Sequence, residues 1–377
     1  MRRIYLDYNA TTPLAPSVQE GILPFLAEHY GNPSSDHALG RAAAEALTDA
    51  RGRVASLIGG EEDEIVFTSG GTEADNLALI GVLSRYAPAD AHLVISAFEH
   101  PAVAETAAYL EGRGYGVTHV PVTADGLVDP ERVERAIRPQ TRLVSIMHAN
   151  NEIGTIQPIP RIAEICARRG VLLHSDAAQT AGKVTTRVDL LGVDLLTLAG
   201  HKLYAPKGVG ALWVRQGTPI EPILHGAGHE AGLRAGTENI IAIVGFGIAA
   251  SLAARSVEAA AERMGMLRDR LEARLAEGIG EELSFNGATV PRLPNTSSVN
   301  FPETIGAALL ARIPELCAST GSACHASTSL LTPTQRAIGL PADVARGTVR
   351  LSLGWYTDEA EIDRAAELLL DSWEGLR

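Results

Sequence analysis

The chain has 377 residues, of which 46% are hydrophobic and 20% are charged, and a formal net charge of −13 at pH 7. This length suggests about two domains. The excess of acidic residues argues against a nucleic-acid surface, which needs a concentrated basic face. We find no uninterrupted apolar run close to the ~20 residues that cross a bilayer. We therefore expect a soluble protein that acts on a small molecule, without direct contact to nucleic acid or membrane.

Cysteine and lysine are scarce in this chain. The three cysteines are Cys166, Cys317 and Cys324. They include no CxxC pair, which suits a reducing compartment better than a disulfide framework. The N-terminal stretch MRRIYLDYNATTPLAP is polar where a signal peptide needs an apolar segment, so we expect a cytoplasmic location. The only lysines, and hence the only candidates for a reactive amine, are Lys183, Lys202 and Lys207.

Seven short apolar runs alternate with helical patterns through the first two-thirds of the chain. Between two of them, PAVAETAAYLEGRG has proline in its first turn and glycine at its exit, as helices prefer. The alternation predicts an α/β fold with a mostly parallel seven-stranded sheet between helices, and ligands at the carboxyl ends of the strands. The predicted strands lie in EIVFTSG, HLVISAF, VTHVPV, LVSIMHAN, VLLHSDA, LLTLAG and GALWVR.

The pattern changes at about residue 240. Residues 240–279 predict one long helix rich in Ala, Arg and Glu, and the shorter strands SSVNF and TVRLSL and a final helix follow. We predict a large domain of residues 15–245 and a smaller α+β domain formed by residues 1–14 and 246–377.

Two loops that follow predicted strands contain residues suited to bind a charged cofactor. After EIVF, the sequence places Gly70, Gly71 and Thr72 before a helix, where backbone N–H groups and the helix dipole favour a phosphate. A helix capped by Thr72 is the alternative interpretation. In VLLHSDAAQ, Asp176 ends an apolar strand, where a carboxylate needs a positive partner such as a protonated pyridine nitrogen. A helix cap or an ion pair with arginine would also satisfy Asp176.

Lysine and histidine side chains in neighbouring loops extend this pattern. Lys202 follows the strand LLTLAG, and a Schiff-base lysine must lie at a strand end, near the acid and partly desolvated. The other two lysines are interpreted as solvated residues or structural partners. His100 lies between a strand and a helix, where it could stack on an aromatic ring or simply begin the helix. His174, inside a strand, is interpreted as a hydrogen-bonded core residue.

Motifs along the whole chain resemble those of the cysteine desulfurases of the NifS/IscS type, within the class V aminotransferases. These enzymes have fold-type I architecture and use pyridoxal 5'-phosphate. The resemblance implies conversion of L-cysteine to L-alanine, with the sulfur passed through an enzyme persulfide to an acceptor protein. The matching motifs are YLDYNATTPL, GNPSSDH, FTSGGTEADN, FEHPAV, HANNEIGTIQPI, HSDAAQTAGK, GHKLYAPKGVGALWV, RAGTEN, STGSACHAS and VRLSLG.

The resemblance implies a role for each matching position. Lys202 would carry the cofactor, Asp176 would hold its pyridinium nitrogen and His100 would stack on its ring. Cys324 would receive the sulfur as a persulfide, and Arg350 would bind the substrate carboxylate in bidentate fashion. The further cofactor-binding positions implied are Gly71, Thr72, Asn151, which also lies near the substrate, Gln179, His201 and Thr237.

Two positions extend or limit the resemblance. Thr237 would reach the cofactor phosphate of the neighbouring subunit, so a homodimer is implied. Where the family usually has a phosphate-binding serine, this chain has Ala199, so one hydroxyl is missing. The sequence also ends at WEGLR without the longer tail of the scaffold-binding family members. The identity of the acceptor protein therefore stays open.

Other functions fit parts of the sequence. Cys324 followed by His325, together with PADVARGTVRLSLG, resembles the selenocysteine lyases, which take selenium from selenocysteine. A metal-binding module would use Cys317, Cys324 and His325, but Cys-x6-Cys-His matches no usual zinc pattern, and we expect no metal. A scaffold that binds the cofactor without turnover is the third alternative. Retention of Lys202, Asp176 and Cys324 together argues against such an inactive protein.

Overall fold

The computed structural model describes residues 3–321 and 331–377, so Cys324 and His325 lie outside the described residues. The helices are α1 (Pro16–Ala27), α2 (Ala38–Ile58), α3 (Gly71–Leu83), α4 (Pro101–Glu111), α5 (Pro130–Ala136), α6 (Ile159–Arg169), α7 (Val188–Leu191), α8 (Ile240–Ile279), α9 (Gly306–Ala311), α10 (Pro333–Ala337), α11 (Ala342–Arg346) and α12 (Glu359–Glu374). The strands are β1 (Ile4–Tyr5), β2 (Ile65–Thr68), β3 (His92–Ser96), β4 (Gly116–Val120), β5 (Thr141–Ser145), β6 (Leu172–Asp176), β7 (Leu195–Ala199), β8 (Gly210–Val214), β9 (Ser284–Phe285), β10 (Thr296–Asn300), β11 (Leu316–Cys317) and β12 (Thr348–Ser352).

A seven-stranded sheet forms the centre of the molecule, in the order β2-β8-β7-β6-β5-β3-β4. Neighbouring strands from β7 to β4 are parallel, and β8 runs antiparallel to both β2 and β7. The sheet contains all seven predicted strands, so the prediction of a mostly parallel α/β sheet is confirmed. The carboxyl ends of β3, β5, β6 and β7 meet along one edge, as parallel pairing requires.

Helices cover both faces of this sheet, which explains why its strands are apolar throughout. On one face, α3 and α4 contribute to a buried cluster that includes Leu77, Leu79 and Val103. On the other face, α2, α6 and the first half of α8 pack around a second cluster that includes Ile162 and Phe246. Every residue of β3, β7 and β8 is buried. The two-layer covering holds the strand ends rigidly beneath the loops.

A third apolar cluster lies outside the central sheet and joins the two ends of the chain. It combines Ile4 and Leu6 with residues between Leu267 and Trp373, from the second half of α8, the small sheet β12-β10-β9 and α12. Strand β1 pairs in parallel with β11. The strands predicted in SSVNF and TVRLSL are β10 and β12, and they pair antiparallel. The domain boundaries at residues 14 and 245 stay a prediction, because α8 runs unbroken past residue 246.

Helix α8 spans 40 residues and is apolar enough by length and composition to cross a membrane. More than half of its most apolar window is buried inside the protein. Its first half packs on α2, where a Cβ at Gly247 would lie 2.6 Å from the Ala50 Cα. Its second half contributes Leu267, Leu271 and Leu275 to the third cluster. Burial between two sets of helices therefore accounts for the apolar composition of α8.

A buried carboxyl group ties the ends of β3 and β5 together next to the predicted His100. The Glu99 side chain is 5% exposed, and its two oxygens accept the Met147 backbone N–H at 3.0 and 3.1 Å. The Ser96 hydroxyl also donates to Glu99. Burial raises the pKa of Glu99 from 4.5 to about 8, although these donors oppose the shift. This carboxyl group therefore joins the ends of β3 and β5, and its burial disfavours its ionised form.

The glycines of α8 give a first prediction. Gly247→Ala should destabilise the protein by roughly 1–3 kcal/mol, because the new methyl group would meet the α2 backbone. Gly265→Ala, in the same helix with no atom within 4 Å of the new Cβ, should stabilise it by about 0.5–1 kcal/mol. Denaturant unfolding of both variants measures the difference. Equal effects would show that the α2–α8 contact has no steric limit at Gly247.

Glu99 gives a second prediction, for the protein without cofactor. Because the raised pKa makes the folded state bind the extra proton, the free energy of unfolding should fall as pH rises from about 4.5 to about 8. Glu99→Gln should reduce that fall, whereas Glu105→Gln, at an exposed position of the following helix α4, should leave it unchanged. Unfolding midpoints at pH 5 and pH 8 test this. Identical pH dependence in all three proteins would contradict the shift.

Candidate active site

A cavity of about 200 Å³ lies at the carboxyl ends of the parallel strands. It brings together eight of the residues singled out from the sequence. These are Gly71, Thr72, His100, Asn151, Asp176, Gln179, His201 and Lys202. Arg350 and Thr237 do not line this cavity, and Cys324 lies outside the described residues. The sheet topology therefore gathers loops that are more than 100 residues apart in sequence.

Asp176 ends β6 at the base of the cavity and is 7% exposed. Its Oδ1 accepts the Ala178 backbone N–H at 2.8 Å. Burial raises the pKa of Asp176, while the charges of His100 and Lys202 and the Ala178 hydrogen bond lower it. A carboxylate in this position is stabilised by any further cation that enters the cavity.

Lys202 lies in a single turn of 3-10 helix, residues 200–202, that directly follows β7. Its Nζ donates to the carbonyl oxygens of Asn9 and, at 3.0 Å, Ala10. These carbonyls belong to the N-terminal segment, which the Thr12 hydroxyl also joins to the His201 carbonyl at 3.0 Å. The amine is thus held at the strand end, part-buried and within reach of the cavity.

The two histidines of the cavity have defined local roles. His100 is the N-cap of α4, and its Nδ1 accepts the Ala102 N–H at 3.1 Å. His100 therefore begins the helix and lines the cavity as well. His201 Nδ1 lies 3.2 Å from the Thr11 hydroxyl. Burial, followed by the charges of Lys202 and Lys207, lowers the pKa of His201 to about 4.

The start of α3 forms an open extension of the cavity suited to an anion. Gly71, Thr72, His201 and Lys207 border a space of about 450 Å³ beside the helix N-terminus. The N-cap of α3 is Gly70 rather than Thr72, so the interpretation of Thr72 as the helix cap is wrong. Ala199 lines the cavity opposite Gly71, where a Cβ would lie 3.3 Å from the Ala199 methyl group.

Arg350 lies in β12 with its side chain 3% exposed. Its Nη2 donates to Asp7 Oδ1 at 2.7 Å and its Nη1 donates to the carbonyl of Asn151 at 3.0 Å. Its buried Nε has no hydrogen-bond partner in the described part of the chain. A buried donor without an acceptor costs free energy, and an incoming carboxylate would satisfy it.

The described residues that flank residues 322–330 lie close to the cavity. Ser319 pairs with Arg350, whose backbone N–H donates to the Ser319 carbonyl at 2.6 Å. The Thr332 hydroxyl donates to Glu152 Oε2 at 2.7 Å, and a Cβ at Gly321 would lie 3.1 Å from the same oxygen. Glu152 directly follows the cavity residue Asn151. The chain therefore leaves the described fold at Gly321 and returns before Thr332 at the edge of the site.

Thr237 is exposed and borders a different cavity, next to Glu230, Arg234 and Asn239. Arg51 and Glu230 form a bidentate ion pair in that region, at 2.7 and 2.6 Å. Within one chain, the structure does not bring Thr237 to the cavity of Lys202.

Three functional positions were missed or undervalued by sequence reasoning. Asp75, on α3, lines the cavity at 1% exposure, and its buried Oδ1 lacks a hydrogen-bond partner among the described residues. Burial, followed by the charge of Asp176, raises the pKa of Asp75 well above its usual range. Lys183, interpreted from the sequence as solvated or structural, is buried. The third position is Asn9, whose backbone carbonyl accepts a hydrogen bond from Lys202. For Asp75, the one available signal was an acid inside a predicted helix beside the loop of residues 70–72.

The donor set fits pyridoxal phosphate better than a metal ion. A buried acid faces a cavity that also contains a lysine amine, and an anion site opens at a helix N-terminus. Two buried carboxyl groups, Asp75 and Asp176, line the cavity, which suits a polar, positively charged occupant. Among residues 3–321 and 331–377, no group of three or more His, Cys, Asp or Glu side chains is arranged to hold a metal.

The whole chain is similar to known proteins of one family. The aminotransferase class-V family model matches residues 4–365. The chain is 42% identical over 378 residues to a cysteine desulfurase IscS of Dictyoglomus turgidum, with 100% of this chain and 96% of the relative covered. A solved NifS-like protein superposes with a TM-score of 0.92 at 36% identity, with 99% and 100% covered. A solved structure described as SspA in complex with cysteine gives a TM-score of 0.83 at 35% identity, with 94% and 99% covered.

The family model covers nearly the whole chain, and the relatives match it end to end. The predicted family and fold-type I architecture are confirmed. The chain belongs to the aminotransferase class-V family, among its pyridoxal phosphate-dependent cysteine desulfurases.

Proposed function

We propose that this cysteine desulfurase takes sulfur from L-cysteine at the cavity of Lys202 and Asp176, transfers it to Cys324 as a persulfide and releases L-alanine. The observation that carries the proposal is that the Lys202 amine and the buried Asp176 carboxyl border one cavity. When bound, pyridoxal phosphate withdraws electrons from the carbon atoms of the amino acid attached to it. A lysine amine and a buried carboxylate are the two groups that this cofactor requires.

The remaining cavity residues have positions that suit the other parts of the cofactor. Asp176 would hold the positive ring nitrogen, which offsets the cost of its burial. His100 would cover the ring face, and Gln179 would meet the ring oxygen. The N-terminus of α3, with Gly71 and Thr72, would bind the phosphate. The further positions are Asn151, near the cofactor and the substrate, and His201, at the phosphate end.

Lys202 is the group that moves the substrate proton in this proposal. With cofactor and L-cysteine bound, its neutral amine would take the proton from the substrate Cα and later return one to the carbon fragment. The carbonyls of Asn9 and Ala10 accept hydrogen bonds from the amine and limit the directions in which it points. A part-buried position favours the neutral amine that this step needs.

Arg350 would hold the substrate carboxylate. Its unpaired Nε offers a buried donor, and Asp7 and the Asn151 carbonyl fix the plane of the guanidinium. A planar arginine held on two sides suits bidentate recognition of a carboxylate. The similar protein solved in complex with cysteine supports the same substrate here.

Cys324 would receive the sulfur. Its thiolate Sγ attacks the substrate sulfur, so that an S–S bond forms as the bond between that sulfur and Cβ breaks. The electron pair of the broken bond stays with the carbon fragment, which takes up a proton at Cβ and leaves as L-alanine. The Ser319–Arg350 pairing supports this role, because it ties the segment before Cys324 to the substrate-binding strand.

We also propose a homodimer in which Thr237 completes the phosphate site of the partner subunit. Its exposure and its absence from the lining of the cavity of its own chain support a role in the partner. The persulfide is passed on to an acceptor protein. A reducing, cytoplasmic location suits this chemistry, because an oxidising compartment would consume the thiolate.

Substitution of Lys202 and Cys324 separates cofactor attachment from sulfur transfer. Lys202→Ala should lose the visible absorbance of the attached cofactor and all activity. Cys324→Ser should keep the absorbance and its change on addition of L-cysteine, but should release no alanine above ~0.1% of the wild-type rate, because no thiolate attacks the sulfur. Absorbance spectra and an alanine assay measure both effects. Cys166→Ala, buried on α6, is the matched control and should keep its activity. Wild-type alanine release by Cys324→Ser would overturn the role of Cys324.

Subunit mixing tests the homodimer and the position of Thr237. Lys202→Ala and Thr237→Val should each be impaired as homodimers. When the two proteins are unfolded and refolded together, half of the molecules should be heterodimers with one intact site, because intact Lys202 and Thr237 then come from different subunits. Activity should rise to roughly a quarter of wild type, since half of the dimers carry one of two sites. No recovery in confirmed heterodimers would place Thr237 in the site of its own chain.

A further inference from the structure

Lys183 is a buried lysine that the reaction described above does not use. It is 5% exposed, and no carboxylate of the described chain forms an ion pair with it. A buried ammonium without an acidic partner is costly, because the protein does not replace its hydration. Such a residue needs a role that offsets the cost.

In the described chain, both hydrogen bonds of the Lys183 side chain go to one residue of the cavity. Its Nζ donates to the backbone carbonyl of Gln179 at 3.0 Å and to the side-chain Oε1 of Gln179 at 3.2 Å. On the other side, Gln179 Nε2 donates to the Asn9 carbonyl at 3.0 Å. A carbonyl oxygen can only accept, and an ammonium can only donate. Both neighbours therefore impose the same orientation on the Gln179 amide.

This orientation decides what Gln179 offers to the cavity that it lines. With Oε1 turned to Lys183 and one Nε2 hydrogen bound to Asn9, the second Nε2 hydrogen is left for the cavity. The reversed amide would present a carbonyl oxygen to the same space. An N–H donor stabilises an oxygen anion, whereas a carbonyl oxygen repels it.

We propose that Lys183 is a positioning residue that fixes the Gln179 amide, so that Gln179 presents an N–H donor to the ring oxygen of the bound cofactor. The inference rests on the proposed placement of Gln179 at that oxygen. It adds that Lys183 determines whether the Gln179 amide presents its N–H or its carbonyl oxygen there. Lys183 acts through Gln179 and does not itself line the cavity.

The same contacts connect Lys183 with the reactive amine. Asn9 accepts from both Gln179 Nε2 and Lys202 Nζ, so one carbonyl joins the two lysines. Burial, followed by the charges of Lys202 and Arg350, lowers the pKa of Lys183 to about 7. Lys183 in turn contributes to the lowered pKa of His201. Within the described chain, Lys202 and Arg350 are the charges that act on Lys183, and its protonation changes close to neutral pH.

The first test uses the unsubstituted protein without cofactor. Because the chain contains three lysines, biosynthetic ¹³C-lysine labelling gives three side-chain signals. We expect one signal to titrate with a midpoint near pH 7 and to be absent in Lys183→Met. If every lysine signal titrates above pH 9, Lys183 is not held as described and the inference is overturned.

The second test is a double-mutant cycle on the affinity of the apoprotein for pyridoxal phosphate. Gln179→Ala and Lys183→Met should each raise the Kd roughly tenfold, as expected for loss of one charge-assisted hydrogen bond. Lys183→Met in the Gln179→Ala background should add less than about twofold, because its effect passes through the missing amide. Lys183→Arg, which keeps a donor, should restore most of the affinity. Fully additive effects would show that Lys183 does not act through Gln179.

A third readout separates positioning from simple loss of packing. In the holoprotein, the pH midpoint of the cofactor absorbance should shift in Lys183→Met and in Gln179→Ala, in the same direction. Thermal unfolding of the apoproteins should stay within a few degrees of the unsubstituted protein, since methionine fills the volume of the lysine stem. If Gln179→Ala weakens binding but Lys183→Met does not, only the inference about Lys183 fails. If Gln179→Ala has no effect, the proposed placement of Gln179 fails and the inference falls with it.

Discussion

The burial of the Asp176 carboxyl at the end of β6 is the constraint on which the rest of the site depends. An acid in this place destabilises the empty protein unless positive groups surround it. The structure provides two of them, because His100 and Lys202 both lower the pKa of Asp176. A positively charged ring nitrogen adds a third. Binding of the cofactor and stabilisation of the fold are therefore the same event at this residue.

The parallel sheet makes this arrangement possible. Because β3, β5, β6 and β7 end at one edge, short loops are enough to bring His100, Asp176 and Lys202 to a single cavity. The N-terminal segment then closes the cavity, since the Asn9 carbonyl accepts from both Lys202 and Gln179. Precision comes from rigid strand ends and from backbone acceptors, which have no freedom to rotate away.

Much of this could be predicted from the sequence, because the signals were local. Each central strand is a continuous apolar run, and Lys202 and Asp176 follow such runs directly. Contacts between distant residues could not be predicted. The pairing of Arg350 with Asp7 joins positions 343 residues apart, and the N-cap at Gly70 depends on backbone angles that the sequence does not display. No local signal indicated that Lys183 is buried, because the residues around it in sequence are small or polar, although the fold encloses them.

The scarcity of lysine has a further chemical consequence. Of the 32 lysine and arginine residues, 29 are arginines, so nearly all basic side chains are guanidinium groups. Lys183 and Lys202 are enclosed to different degrees, and Lys207, the exposed lysine, borders the space beside α3. Primary amines are therefore concentrated around one chemical centre. An aldehyde in the surrounding solution meets few competing side-chain amines on the exterior, so the fold itself directs carbonyl compounds to the place where their capture is productive.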